Sequence, residues 1–271
     1  MKNKLKHTEP FIGCTAEYDE ADIVLFGVPF DSTTSYRPGA RFGGKVIRAE
    51  SYGLETYSPY LKRDLEELKV FDGGEIELPF GNTEKAMEEI YQTQKLIHTS
   101  EKLPVMLGGE HLVTFPAVRA ALEKYPDLCI IHFDAHTDLR DMYLGEKLSH
   151  ACVMRRCHEL LGDNRIYSYG IRSGTSEEFE FMKLHNCSVQ PTGNIYLTID
   201  LDVLDPSEFP ATGTPEAGGI SFIELRKSVI DICNSCNIVG ADLVEYSPPY
   251  DVSGFCAATA GKLLRELLLS I

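Results

Sequence analysis

No apolar run in this 271-residue chain approaches the ~20 residues that span a bilayer, which excludes a transmembrane helix. The start, Met1-Lys-Asn-Lys-Leu-Lys-His7, is basic but has neither the apolar stretch nor the small-residue cleavage site of a secretory signal. Basic residues are scarce, 26 against 41 acidic, for a formal charge of -15. Such a field repels nucleic acid and anionic membranes, so neither is expected as a partner, and it favours a small cation. The eight cysteines fall into no regular disulfide framework, and reduced thiols in a cytoplasm are expected. Cys233-Asn-Ser-Cys236 spells C-x-x-C once, without a second pair to complete a zinc site. No strand leads into G-x-G-x-x-G or a Walker loop, which argues against a nucleotide-binding protein. Internal repeats, low-complexity tracts and linker-like breaks are absent too, so one domain over residues 1–271 is the simplest account.

What is present is an alternation of short β-rich runs with helical patterns. Strands are expected at Ile23–Val28, Lys69–Phe71, Pro104–Leu107, Cys129–Phe133, Arg165–Tyr169, Ile195–Ile199 and Ile238–Val244. Helices are expected over 45–51, 84–99, 114–124, 150–161, 176–185, 221–235 and 256–270. Thr175-x-x-Glu178 and Ser221-x-x-Glu224 carry the spacing of capping boxes. The pattern predicts an α/β fold, a parallel sheet wrapped by helices on both faces.

In such sheets ligands bind beyond the carboxyl ends of the strands. Gly108-Gly-Glu-His111, Asp134-Ala-His-Thr-Asp138, Asp200-Leu-Asp202 and Glu245 each follow a predicted strand. In extended backbone, side chains at i, i+2 and i+4 point the same way, so Asp134, His136 and Asp138 face one spot, as do Asp200 and Asp202. Taken singly, these residues are helix caps, turn formers or surface acids. Together, four carboxylates and an imidazole would repel one another and carry raised pKa values unless a cation joins them. With His111, the mixed nitrogen and oxygen set suits Mn²⁺ and tolerates Co²⁺, Ni²⁺ or Zn²⁺. Six ligands are too many for one ion with an open position, and fit two. The long turn-rich segment from Asp205 to Gly219 follows the Asp200/Asp202 strand and is expected to serve the same site.

The ordered set Gly108-Gly-Glu-His111, Phe133-Asp-Ala-His-Thr-Asp138, Ser149-His150 and Thr198-Ile-Asp-Leu-Asp202-x-x-Asp205-Pro206 resembles the ureohydrolases, that is, arginases, agmatinases and relatives. The resemblance extends from Gly27-Val-Pro-Phe-Asp31 to Glu245-Tyr-Ser-Pro-Pro-Tyr-Asp251, nearly the whole chain. It implies a three-layer α/β/α sandwich around a parallel eight-stranded sheet. It also implies one Mn²⁺ on His111, Asp134, Asp138 and Asp200, and another on Asp134, His136, Asp200 and Asp202, with Asp134 and Asp200 bridging. By the same resemblance a hydroxide between the ions attacks the guanidinium carbon while Asp138 helps move its proton. Glu245 pairs with the guanidinium, and His150 relays a proton to the departing amine. The family often forms trimers or hexamers, so a homo-oligomer is implied.

Within the family, the segment Leu139-Arg-Asp-Met-Tyr-Leu-Gly-Glu-Lys-Leu148 lacks the Asn- and Ser/Thr-containing loop with which arginases hold the amino-acid head group. Thr212-Gly-Thr-Pro-Glu216 and Ser247-Pro-Pro-Tyr-Asp251 look like agmatinases. The expected reaction is therefore agmatine plus water to putrescine and urea, with aminopropylagmatine, guanidinobutyrate, guanidinopropionate or formiminoglutamate as other substrates in the superfamily. A metal-binding relative without activity is a further alternative, disfavoured because all six ligands, His150 and Glu245 are present. Asp141, Glu146 and Glu216 are candidates to meet the second cation of agmatine; Arg140 or Arg172 would suit a carboxylate tail instead. Ala151-Cys152, Tyr246 and Gly44 depart from the common family pattern, none at an implied metal ligand.

Overall fold

The computed structural model describes residues 9–271 together with the backbone of Leu5–Lys6; the rest of the basic start lies outside the described residues. Its strands are β1 (Leu5–Lys6), β2 (Ile23–Gly27), β3 (Tyr57–Ser58), β4 (Arg63–Asp64), β5 (Val70–Ile76), β6 (Leu103–Leu107), β7 (Cys129–Phe133), β8 (Ile166–Tyr169), β9 (Asn194–Asp200) and β10 (Asn237–Val244). The helices are α1 (Gly43–Ser51), α2 (Thr83–Thr99), α3 (Thr114–Lys124), α4 (Val153–Leu161), α5 (Ser176–His185), α6 (Phe222–Ser235) and α7 (Phe255–Ser270).

Eight strands form one sheet in the order β1-β5-β2-β6-β10-β9-β7-β8. The expected α/β sandwich is present, with one difference. Seven strands run parallel, whereas the eighth, β1, pairs antiparallel with β5 through Leu5↔Ile76 and Lys6↔Glu75. A two-residue edge strand cannot show a period in sequence, and β3 and β4 are short for the same reason.

Side-chain alternation explains the layers. Ile23 and Leu25 of β2, Val105 and Leu107 of β6, and Ile195, Leu197 and Ile199 of β9 face one apolar cluster. Val24, Phe26, Met106, Ile130 and Tyr196 face the other. The first cluster is covered by α1, α6 and α7, and Leu263, Leu264, Leu267 and Leu268 of α7 are fully buried there. The second is covered by α2, α3 and α4, through Met87, Ile90, Val118, Val153 and Met154. Each such buried aliphatic side chain contributes about 1.5–3 kcal/mol relative to exposure, which fixes the register of every strand. Both capping boxes form, at Thr175–Glu178 and Ser221–Glu224. All eight cysteines are free thiols, and no helix of the described residues is long and apolar enough to cross a membrane. Because β6, β7, β9 and β10 are parallel neighbours, the polar residues after each of them reach one edge of the sheet.

Candidate metal centre

Backbone geometry at this edge is set first by Gly109. A Cβ there would lie 1.8 Å from the Phe30 carbonyl oxygen, so only glycine lets the chain leaving β6 pass so close. Its neighbour Glu110 donates its N–H to that carbonyl at 2.8 Å, and Glu245 donates to the Gly109 carbonyl at 2.9 Å. Asp138 and Glu245 both hold left-handed backbone, at φ 52° and 65°. Such conformations cost about 1–3 kcal/mol and persist where surrounding contacts fix them. Glu245 is fixed on both sides, since its Oε1 also accepts from the His111 backbone N–H at 2.9 Å.

Around His111 Nδ1 lie three carboxylate oxygens: Asp134 Oδ2 at 3.0 Å, Asp138 Oδ2 at 3.2 Å and Asp200 Oδ2 at 3.3 Å. That nitrogen is buried and makes no hydrogen bond, although the oxygens crowd it. None of the three oxygens lies in hydrogen-bonding direction from it, so they surround a common space beside the ring. Beside it, His136 Nδ1 lies 3.0 Å from Asp202 Oδ2 and 3.5 Å from Asp134 Oδ1. Asp134 thus turns one oxygen to each imidazole. Asp200 Oδ1 accepts from the Asp202 N–H at 2.8 Å, which leaves Oδ2 for the His111 group. The structure brings His111, Asp134, His136, Asp138, Asp200 and Asp202 into one buried cluster. Its orphaned imidazole nitrogen and oxygen-rich donor set fit a pair of divalent ions.

The charges within the cluster agree. Burial disfavours ionisation of Asp134, but the imidazoles of His111, His132 and His136 outweigh it and hold the carboxyl well below its usual range. Asp138, pushed by burial and by Asp134, rises to about 6, and Asp200 rises well above the ordinary value through burial, Asp202 and Asp134. Carboxylates driven in opposite directions within a few ångströms mark a site short of positive charge.

A second group adjoins the first. Ligand-type atoms of Glu110, His150 and Glu245 lie within 4.8 Å of one another. Burial raises Glu110 to about 8, and burial with Glu110 beside it pushes Glu245 well above the carboxylate range. His150 Nε2 lies 3.1 Å from Ser35 Oγ on the pocket wall. Burial and the neighbouring His136 hold this imidazole at about 4. The pocket is lined also by His136, Asp138, Arg140 and Tyr143.

The loop from Asp205 to Gly219 does reach the site. Asp205 folds it by accepting from the Gly218 and Gly219 N–H groups at 2.8 and 3.1 Å. Thr214 Oγ1 then stands 3.4 Å from Asp202 Oδ2, and Glu216 Oε1 stands 4.0 Å from His136 Nε2. Of the tail candidates, Asp141 is paired with Arg156 at 2.8 Å. Arg172 donates to the carbonyls of Gly170, Asp202, Val203, Leu204 and Glu216, so it clamps the loops with both terminal nitrogens occupied. Arg140 lies over Tyr143, 3.7 Å from Glu178.

Several participants escape sequence reasoning. His132 Nε2 meets Asp134 Oδ2 at 2.8 Å, and its Nδ1 meets Ser168 Oγ at 3.1 Å. Glu110 accepts from Thr33 N at 2.8 Å and Thr33 Oγ1 at 2.6 Å, and that same oxygen accepts from the His150 N–H at 3.0 Å. Asp242 accepts from Thr198, Tyr196 and Thr114, and Thr198 in turn meets His111 Nε2 at 2.9 Å. A polar residue breaking an otherwise apolar strand was the available signal: His132 in Cys129–Phe133, Thr198 in β9 and Asp242 in β10.

Comparison with known proteins meets this geometry. The arginase family profile matches residues 21–192 and 187–270. The chain is 50% identical to the agmatinase of Bacillus subtilis (strain 168), covering 96% of this chain and 95% of that one. It is 35% identical to the guanidinobutyrase of Pseudomonas aeruginosa, over 96% and 89% of the two chains. The crystal structure of the agmatine ureohydrolase of Thermoplasma volcanium superposes with a TM-score of 0.90 at 33% identity, over 98% of this chain and 94% of that one. A six-residue cluster at the C-terminal sheet edge, in a chain so similar along its length, has one reading at the level of family: this protein belongs to the arginase family.

Proposed function

We propose that the chain hydrolyses agmatine to putrescine and urea at a binuclear Mn²⁺ centre. The observation that carries the reading is Asp134, whose two oxygens divide between the His111 and His136 groups. His111, Asp134, Asp138 and Asp200 would hold one ion, and Asp134, His136, Asp200 and Asp202 the other. When bound, the two ions supply Lewis acidity and water that ionises near neutral pH.

The chain's own residues do the rest. Glu245, buried and raised by Glu110, is stabilised as a carboxylate by a planar cation, which selects a guanidinium. Asp138, whose Oδ2 stands beside the His111 group, would accept a proton from the attacking water. His150 stands on the pocket wall, where its imidazole would pass to the departing amine the proton given up by the attacking water. Glu110 holds its backbone in place through Thr33. The half-exposed Glu216 is the tail candidate nearest the cluster, and the likeness to agmatinases over nearly the whole chain supports an amine tail. Arg140 on the pocket wall favours guanidinobutyrate as the second reading, although Glu178 offsets its charge.

One domain over residues 1–271 is supported by β10, which lies between β6 and β9. A homo-oligomer, trimer or hexamer, is supported by exposed Phe80, Met142 and Leu144. Free thiols support a cytoplasmic location. The test is product analysis. Mn²⁺-loaded protein given agmatine should yield urea and putrescine in equal amounts, and putrescine without urea would reject hydrolysis at the guanidinium carbon.

A further inference from the structure

The connections from α4 to β8 and from α5 to β9 lie at the sheet edge opposite the pocket, and a compact donor group stands there. His158 lies in the last turn of α4, Asp163 in the turn before β8, and His185 at the end of α5. His185 Nδ1 is 2.8 Å from Asp163 Oδ1, and His158 Nε2 is 3.2 Å from the same oxygen. The ligand-type atoms of all three lie within 4.8 Å of one another.

Two further observations point to an ion. Both ring nitrogens of His158 are buried and make no hydrogen bond, even though Asp163 is so near Nε2. The oxygen therefore lies off the N–H direction of His158: Asp163 is hydrogen-bonded to His185 Nδ1 at 2.8 Å and leaves both His158 nitrogens without a partner. The helix ends favour positive charge, since His158 and His185 each close a helix where the backbone dipole presents its negative end, against burial, which disfavours charge on His158 itself. Phe181 walls the group, its ring 4.2 Å from His185 and 4.9 Å from His158. Arg155, whose guanidinium lies 3.9 Å from the Phe181 centroid, opposes the cation, and Glu159 beside it favours one. Ligands about 2.0–2.1 Å from a tetrahedral ion sit about 3.3–3.4 Å apart. The two spacings from Asp163 Oδ1, 2.8 and 3.2 Å, reach that with shifts of about half an ångström or less.

We propose that His158, Asp163 and His185 form a separate divalent-cation site, of the zinc class, with water completing the shell. Two imidazoles and one carboxylate suit Zn²⁺ better than Mg²⁺ or Ca²⁺, which prefer all-oxygen shells. The site is distant from the catalytic chemistry. It ties the ends of α4 and α5 to the start of β8, so its effect is on the stability of that edge.

The test is zinc content after equilibrium dialysis of full-length protein against Zn²⁺, wild type beside His158→Asn and, separately, Asp163→Ala. Asp163 is 58% exposed, so its replacement leaves the fold intact. Each variant should hold one equivalent fewer than wild type, and in wild type the ring ¹⁵N signals of His158 and His185 should shift on Zn²⁺ addition. Equal zinc content in wild type and both variants, or unmoved ring signals, would overturn the site. Because the readout is a difference, it stands apart from whatever number of ions the pocket binds.

Discussion

His132 Nε2, near the end of β7, lies 2.8 Å from Asp134 Oδ2. Period two puts both residues on one side of the chain leaving β7. The imidazole is anchored in turn by Ser168 on β8. Asp134 is therefore oriented before any ion arrives. Replacing such an outer partner typically weakens metal affinity about 10–100-fold. His132→Leu should do so in a Mn²⁺ titration, with most of kcat returning at saturating metal. Wild-type affinity in that variant would show that Asp134 needs no such support.

Glu245→Gln should keep the metals and lose turnover. The amide still accepts from the His111 N–H, so the local backbone is preserved. What goes is the charge that meets the guanidinium, and kcat/KM should fall at least about 100-fold, the equivalent of about 3 kcal/mol. Unchanged turnover at unchanged metal content would reject the assigned role.

Away from the site, Arg48 and Asp72 form a buried ion pair. Arg48 Nε and Nη2 reach Asp72 at 2.8 and 2.9 Å, and Asp72 also accepts from Phe11 and Gly74 N–H groups. Arg48→Met strands that carboxylate, and denaturant unfolding should show a loss of about 3–5 kcal/mol. A loss under about 1 kcal/mol would mean that the backbone donors alone satisfy Asp72.

His98 gives the fold an acid-side weakness. Burial, with Lys124 nearby, lowers its pKa from 6.5 to about 4. As pH falls through this window the unfolded chain takes up the proton first, so stability is full above 6.5 and is lost progressively down to about 4. The contribution lost between pH 7 and 5 is about 2 kcal/mol. His98→Phe should remove that slope, since the buried Nε2 has no hydrogen-bond partner to lose. A slope as steep in the variant as in wild type would assign the weakness to other groups.

Strands and helices that bury whole faces were legible because their periods were clean, and β2, β6, β7, β9 and β10 fall within a residue or so of their expected bounds. The strand-end motifs were legible because charged residues stood where apolar runs stopped. The supporting layer was not. His132, Thr198 and Asp242 lie inside strands and act across them, through partners 36 to 87 residues away or two positions on, and no local pattern encodes such pairings. Arg172 and Asp141 looked free for substrate for the same reason: a sequence shows a charge but not the carbonyls or the arginine that occupy it.

The most direct measurement is kcat/KM for urea release from Mn²⁺-loaded protein, with agmatine and 4-guanidinobutyrate compared under identical conditions. Agmatine should be preferred by at least about 100-fold, because Glu216 and the acidic surroundings favour an amine tail over a carboxylate. Preference for guanidinobutyrate would assign the tail to Arg140 and contradict the substrate. Urea from neither, with two ions bound, would contradict the account at its centre.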